Sequence, residues 1–189
     1  MNSGSILNRA DSKAFGGSGH ANPDQFIFSL RARFMGLEIE RKFLVKKASW
    51  RDSVEEREPI LQGYLAETGR ATVRVRAKGN RGFLTIKGRT TGVTRSEFEY
   101  EIPIEDARTM LETLGSLPAI DKVRHRVRCG DHLWEVDVFA GENAGLVLAE
   151  IELGSEEESF ELPDWAGAEV SDDPRYYNSN LARHPFSRW

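Results

Sequence analysis

One cysteine, Cys129, is all that the 189 residues contain. No internal disulfide can form, and a reducing, cytoplasmic setting is the expectation. No apolar run approaches the roughly 20 residues that a spanning helix needs, which argues against a helical membrane protein. Excess positive charge is also missing: 26 Lys and Arg stand against 30 Asp and Glu, for a net charge of −4. A general nucleic-acid binder would be basic, so no nucleic-acid partner is expected. There is no Gly-x4-Gly-Lys-Ser/Thr loop, which excludes the P-loop way of holding phosphates. His20, His125, His132 and His184 stand at no metal-ligand spacing. What is present is 39% hydrophobic residues, enough for one domain with a core.

Residues 1–34 differ from the rest, being rich in Ser, Gly and Asn with no periodic apolar pattern. They read as a disordered extension, a tag or the product of an upstream start ahead of Met35. The domain is therefore taken as residues 35–189.

From residue 36 onward, apolar and charged residues alternate. Strands are expected over 36–43, 72–78, 83–89, 95–102, 121–128, 132–139 and 147–153. Short turns such as Lys78-Gly79-Asn80-Arg81-Gly82 separate them, so the sheet is expected to be largely antiparallel. Helices are fewer. Residues 104–115 carry acids in the first turn and Gly115 as a stop, and Ser155 with Glu158 has the spacing of a capping box. Further helices are expected over 175–183 and, more weakly marked, over 48–56. The fold class is α+β and strand-dominated.

One parity of these strands is almost purely ionic and sorted by sign. It holds Glu38, Glu40 and Lys42, then Arg74, Arg76 and Lys78, then Lys87 and Arg89, then Glu97, Glu99 and Glu101. Lys122, Arg124, Arg126 and Arg128 follow, with Glu135 and Asp137, then Glu150 and Glu152. Like charges at i and i+2 lie roughly 7 Å apart and repel. Two architectures accommodate this. A sandwich would turn the charges to water. A closed barrel would turn them inward, where they need a polyanion over the Arg and Lys and hard cations over the carboxylates. Periodicity does not choose between them. Arg41, on the opposite parity, suits an outer salt bridge or a rim contact.

Glu38-Ile39-Glu40-Arg41-Lys42 is a Glu-x-Glu-x-Lys signature on the first strand, and companions follow it in order. They are Gln62-Gly63-Tyr64-Leu65, Arg74-x-Arg76, Leu84-Thr85-Ile86-Lys87, Arg95-x-Glu97-x-Glu99, Lys122-x-Arg124, Glu135-x-Asp137-x-Phe139, Glu150-x-Glu152 and Arg175-Tyr176-Tyr177-Asn178. Together they resemble the CYTH domain, or triphosphate tunnel metalloenzyme, family over residues 35 to about 183. The likeness is to its short bacterial subgroup, which hydrolyses inorganic tripolyphosphate. The resemblance implies an eight-stranded antiparallel closed β-barrel with a charged interior and a few flanking helices, the last at one tunnel mouth.

It also implies two divalent ions, Mg²⁺ or Mn²⁺, held by Glu38, Glu40, Glu150 and Glu152, with Asp137 as a further ligand. Lys42, Arg74, Arg76, Lys87, Lys122 and Arg124 would line the polyphosphate. Lys42 or Lys87 would assist the leaving pyrophosphate, and Glu40 and Glu152 would carry the metal chemistry. Glu97 and Glu99 would orient the cations. The expected partner is a small triphosphate, with the chain a monomer or homodimer. Alternatives on the same fold are an adenylate cyclase, a thiamine triphosphatase, or a non-catalytic polyphosphate- or nucleotide-binding module.

Overall fold

The alternating segments become strands in the structure, a computed structural model that describes residues 36–189. The expected extension over 1–34 lies outside the described residues. The strands are β1 (Leu37–Val45), β2 (Val54–Glu67), β3 (Ala71–Lys78), β4 (Arg81–Gly88), β5 (Thr94–Ile102), β6 (Ile120–Cys129), β7 (His132–Phe139), β8 (Val147–Glu152) and the short β9 (Ala166–Glu169). The α-helices are α1 (Ile104–Thr113) and α2 (Asn178–Arg183).

Strand order runs β5-β4-β3-β2-β6-β7-β8-β1, and β5 pairs again with β1, so eight antiparallel strands close on themselves. The closing seam is short, matching Leu37, Glu38 and Ile39 to Ser96, Arg95 and Thr94. Backbone bonds from Glu97 N–H to Gly36 O (2.7 Å) and from Glu40 N–H to Val93 O (3.1 Å) lengthen it. Beyond it, β9 pairs with Phe43 and Val45.

β2 is the strand that the alternation missed. Glu55-Glu56-Arg57-Glu58-Pro59 looks like neither a strand nor a helix, and a proline is disfavoured inside a sheet. The structure tolerates Pro59 because pairing with β3 begins only at Ile60, so this half of β2 pairs with β6 alone. The expected helix over 48–56 shrinks to a 3-10 turn at Ser49–Ser53 and gives way to β2.

No helix forms over 155–162. The Glu158 carboxylate instead accepts from the Gly154 N–H and from His132 Nε2 (2.9 Å), which fixes a turn in place of a helix start. The last helical segment is split into a 3-10 turn, Pro174–Tyr176, and the six-residue α2.

With charges on the inner parity, the apolar parity faces outward; it is covered over much of β1, β7 and β8, whereas Ile86, Phe98 and Tyr100 on β4 and β5 are exposed. Ile39, Phe43, Val127, Trp134, Val136, Ala149 and Ile151 are buried beneath Trp50, Phe160 and Trp165 from the connecting segments. Trp134 is fully buried, with ring centroids of Phe43, Phe160 and Trp165 at 5.4, 5.7 and 5.4 Å. Burying such rings contributes about 1.5–3 kcal/mol each. On the opposite flank α1 lies on β2–β4, where Gly63 and Gly82 admit it. A Cβ on Gly82 would come within 2.8 Å of the Ala107 Cβ, and one on Gly63 within 2.8 Å of Leu111.

A second apolar cluster, including Tyr64, Ile120, Phe139, Leu148, Tyr176 and Leu181, packs the C-terminal segment against the barrel. Arg41 points outward, its Nε donating to Glu169 Oε1 (2.8 Å) and its guanidinium 5.1 Å from the Phe160 ring centroid. The sequence expectation of an outer salt bridge holds.

Candidate active site

Closing the barrel gathers the ionic parity around one cavity of about 1430 Å³. Glu38, Glu40, Lys42, Arg74, Arg76, Lys87, Glu97, Glu99, Lys122, Arg124, Glu150 and Glu152 all line it. Tyr177, Asn178 and Ser179 line it too, so the C-terminal segment borders the lumen as the resemblance implies. Asp137 alone among the expected site residues is not in the lining; it is 0% exposed, covered by Lys122 and Arg124.

Register decides which charges meet. On one side, Lys42 donates to Glu150 (2.8 Å) and sits 3.2 Å from Glu40. Burial opposes its charge, but Glu150 and Glu40 outweigh that and raise its pKa, so Lys42 stays protonated. Arg124 is a hub. Its Nε and Nη2 donate to the two oxygens of Asp137 at 2.8 and 2.7 Å, Nη2 also reaches Glu150 at 2.6 Å, and Nη1 bonds Glu135. Lys122, 1% exposed, shares Asp137 with it. Burial pushes the Lys122 pKa down to about 8, which Asp137 offsets only in part. Burial would raise the Glu150 carboxyl, but Lys42 and Arg124 pull it well below its usual range.

The opposite wall is built on a rung of directly opposed residues, Tyr64, Arg74, Thr85 and Glu99, on β2 to β5. Arg74 Nη2 donates to the Thr85 hydroxyl (3.1 Å), which donates to Glu99 Oε2 (2.8 Å); Arg76 binds the same oxygen. Lys87 joins Glu97 and lies 3.2 Å from Glu38. Glu97 and Glu99 therefore pair with cations, which outweigh burial and hold both carboxyls below their ordinary pKa. Burial and the neighbouring Arg74 lower the Arg76 pKa, a mark of crowded positive charge. The Nε–H groups of Arg74 and Arg76 are buried without a hydrogen-bond partner.

Sequence reasoning assigned no role to three residues that matter here. Arg95 stands opposite Glu38, binds it and approaches Glu40 at 3.9 Å. Its parity with Glu97 and Glu99 was the available signal. Thr85 and Gln62 are uncharged and fell outside a search for charge, yet both are buried polar groups on this wall's strands.

Two facing pairs bear on a metal. Glu40 stands directly opposite Glu152 and Glu135 opposite Glu150. Like charges so placed repel unless a cation comes between them. Among the described residues no group of three or more His, Cys, Asp and Glu already converges as a metal site. Glu38, Glu40 and Glu150 lean instead on Arg95, Lys87, Lys42 and Arg124. The donor set is all oxygen and anionic, which suits a hard divalent ion. The residues fit.

The fold is thus a closed antiparallel barrel whose lumen is lined by opposed clusters of carboxylates and cations. Residues 36–177 match the CYTH domain, and the chain belongs to that family. It is 46% identical over 155 residues to the inorganic triphosphatase of Acetivibrio thermocellus, covering 82% of this chain and 99% of the relative. It is 38% identical over 149 residues to that of Nitrosomonas europaea, covering 77% and 96%. The crystal structure of an inorganic triphosphatase superposes with a TM-score of 0.57 at 35% identity, covering 77% of this chain and 93% of the other. Membership of this metalloenzyme family implies dependence on a divalent metal. Among the described residues, no helix is long and apolar enough to cross a membrane.

Proposed function

We propose that the chain hydrolyses inorganic tripolyphosphate to pyrophosphate and phosphate inside its lumen, using Mg²⁺ or Mn²⁺. The observation that carries this is the pair of lumen guanidiniums, Arg74 and Arg76, whose buried Nε–H donors have no partner, while burial and then the Arg74 charge disfavour the charge on Arg76. A chain of phosphate oxygens answers both demands, because it accepts several N–H bonds and cancels several charges at once.

Glu38, Glu40, Glu150 and Glu152 would hold two divalent ions. When bound, these supply charge neutralisation at the phosphate oxygens and a water of lowered pKa. Arg74, Arg76, Lys122 and Arg124 bind and align the polyphosphate, and Lys42 and Lys87 stabilise charge on the leaving pyrophosphate. Phosphoryl transfer needs mainly positioning and charge stabilisation, so no covalent nucleophile is required. Cys129 suits none, since burial and Glu161 raise its thiol pKa.

Phosphate release measured with tripolyphosphate, ATP, thiamine triphosphate and pyrophosphate, each with Mg²⁺ or Mn²⁺, tests the proposal. Tripolyphosphate should be the preferred substrate; preference for a nucleotide or for thiamine triphosphate would reassign the activity within the fold. Tripolyphosphate should also raise the melting temperature, by ~2.7 kcal/mol of linked stability at a hundredfold excess over its Kd. No shift would sink the lumen as the binding site.

Thr85 has a smaller, checkable part. Thr85→Val removes the hydroxyl that bridges Arg74 to Glu99 at nearly constant volume. It should raise KM for tripolyphosphate about five- to tenfold, the worth of roughly one net hydrogen bond. Thr85→Ser should restore wild-type KM, and equal KM values in all three proteins would refute the role.

A further inference from the structure

The sequence alone places Asp137 with the metal ligands, and its surroundings point elsewhere. We infer that Asp137 is a positioning residue that clamps Lys122 and Arg124 together as one phosphate-facing pair, and that it ligates no metal. The phosphate-facing half of this inference rests on the proposed function above.

Three observations carry it. Asp137 is 0% exposed and does not reach the cavity surface, covered by Lys122 and Arg124, whereas Glu38, Glu40, Glu150 and Glu152 line the cavity. Its two oxygens are already taken by three donors. Arg124 grips both in a bidentate fork at 2.8 and 2.7 Å, and the Lys122 ammonium shares Oδ2. Finally, the cross-strand neighbour of Asp137 on β8 is the buried Leu148, while Glu150 pairs with Glu135 instead. The Arg124 guanidinium bridges Asp137 and Glu150, bonding the latter at 2.6 Å.

A metal reaching Asp137 would have to displace a guanidinium held through two of its nitrogens and strip the buried Lys122 ammonium of its hydrogen-bonded carboxylate. Such a loss is among the costly events inside a protein. The clamp also answers a problem of charge. Lys122 and Arg124 are two residues apart on one strand and point the same way, so they repel. Asp137, opposite Arg124 on β7, is the counter-ion that holds both at once. Arg124 then presents its remaining surface to the lumen in a fixed orientation.

Asp137→Asn tests this, because it keeps the shape and removes the charge. Mn²⁺ affinity of the substrate-free protein, measured by calorimetry and by the electron paramagnetic resonance of unbound Mn²⁺, should stay within twofold of wild type. KM for tripolyphosphate should rise tenfold or more. Glu40→Gln is the control that should weaken Mn²⁺ binding at least tenfold.

If Asp137→Asn weakens Mn²⁺ to the same extent as that control, or leaves KM unchanged, the inference is wrong. Should Asp137→Asn fail to fold, Lys122→Met decides. A clamp predicts unchanged Mn²⁺ affinity and a raised KM, whereas a metal ligand freed from a competing ammonium would bind Mn²⁺ more tightly. If the wild-type chain hydrolyses no triphosphate, the proposed function fails by itself, and the Mn²⁺ measurements still decide whether Asp137 is a ligand.

Discussion

Glu40→Gln is expected to abolish turnover while leaving the barrel folded. Glu40 faces Glu152 across the β1–β8 ladder, and the proposed function makes the two carboxylates one cation-binding pair. Replacing one by an amide keeps an oxygen but removes half of the negative charge that draws the ion in. Losing even a supporting group of a metal site costs 10–100-fold, so at least ~100-fold in kcat/KM is expected for a direct ligand. Stability should change little. The substitution relieves a like-charge contact across the strands while it weakens the contact with Lys42 at 3.2 Å. Glu152→Gln should behave alike. Phosphate release alongside a circular-dichroism melt separates the two effects, and activity within tenfold of wild type in both variants would show the metal is misplaced.

The second large effect concerns the fold itself. Trp134→Ala should destabilise the domain by about 3–5 kcal/mol, the range for emptying a buried aromatic site. That is a large share of the 5–15 kcal/mol typical of a domain. Trp134 lies at the centre of the outer core, touching Phe43, Phe160 and Trp165, so a cavity there loosens β1, β7 and the covering segment together. Trp134→Phe should cost much less. It retains most of the ring contact and deletes an indole N–H that is buried without a partner, an arrangement that itself costs roughly 1–3 kcal/mol. Urea unfolding of the two variants provides the test; a loss below about 1 kcal/mol for the alanine variant would mean that the core lies elsewhere.

Much of this was legible in the chain. The two-residue period of a strand assigns each side chain to a face from local sequence alone. Glu38, Glu40, Arg74, Arg76, Lys122, Arg124, Glu150 and Glu152 were therefore recognisable as one surface before any contact was known. Where local signals conflicted, the reading failed. Pro59 and the four charges before it hid half of β2, which only its pairing with β6 makes a strand. Ser155 and Glu158 suggested a helix, but Glu158 is drawn to His132 and Gly154, and Phe160 to Phe43 and Trp134. Tertiary partners there outweighed a weak local preference.

The sequence by itself determined the two faces, the antiparallel hairpins and the all-oxygen donor set, because alternation, turn residues and side-chain chemistry are properties of a few neighbouring residues. Periodicity did not choose between sandwich and barrel, and the family resemblance favoured the barrel. The tertiary structure showed that the sheet closes, through three residue pairs between β1 and β5, and so showed that the charged face is an interior. It also decided which charges meet: Glu40 with Glu152, Arg95 with Glu38, and the buried Asp137 with Lys122 and Arg124. Those meetings depend on register and stagger between strands far apart in the chain. A period of two residues carries no record of either.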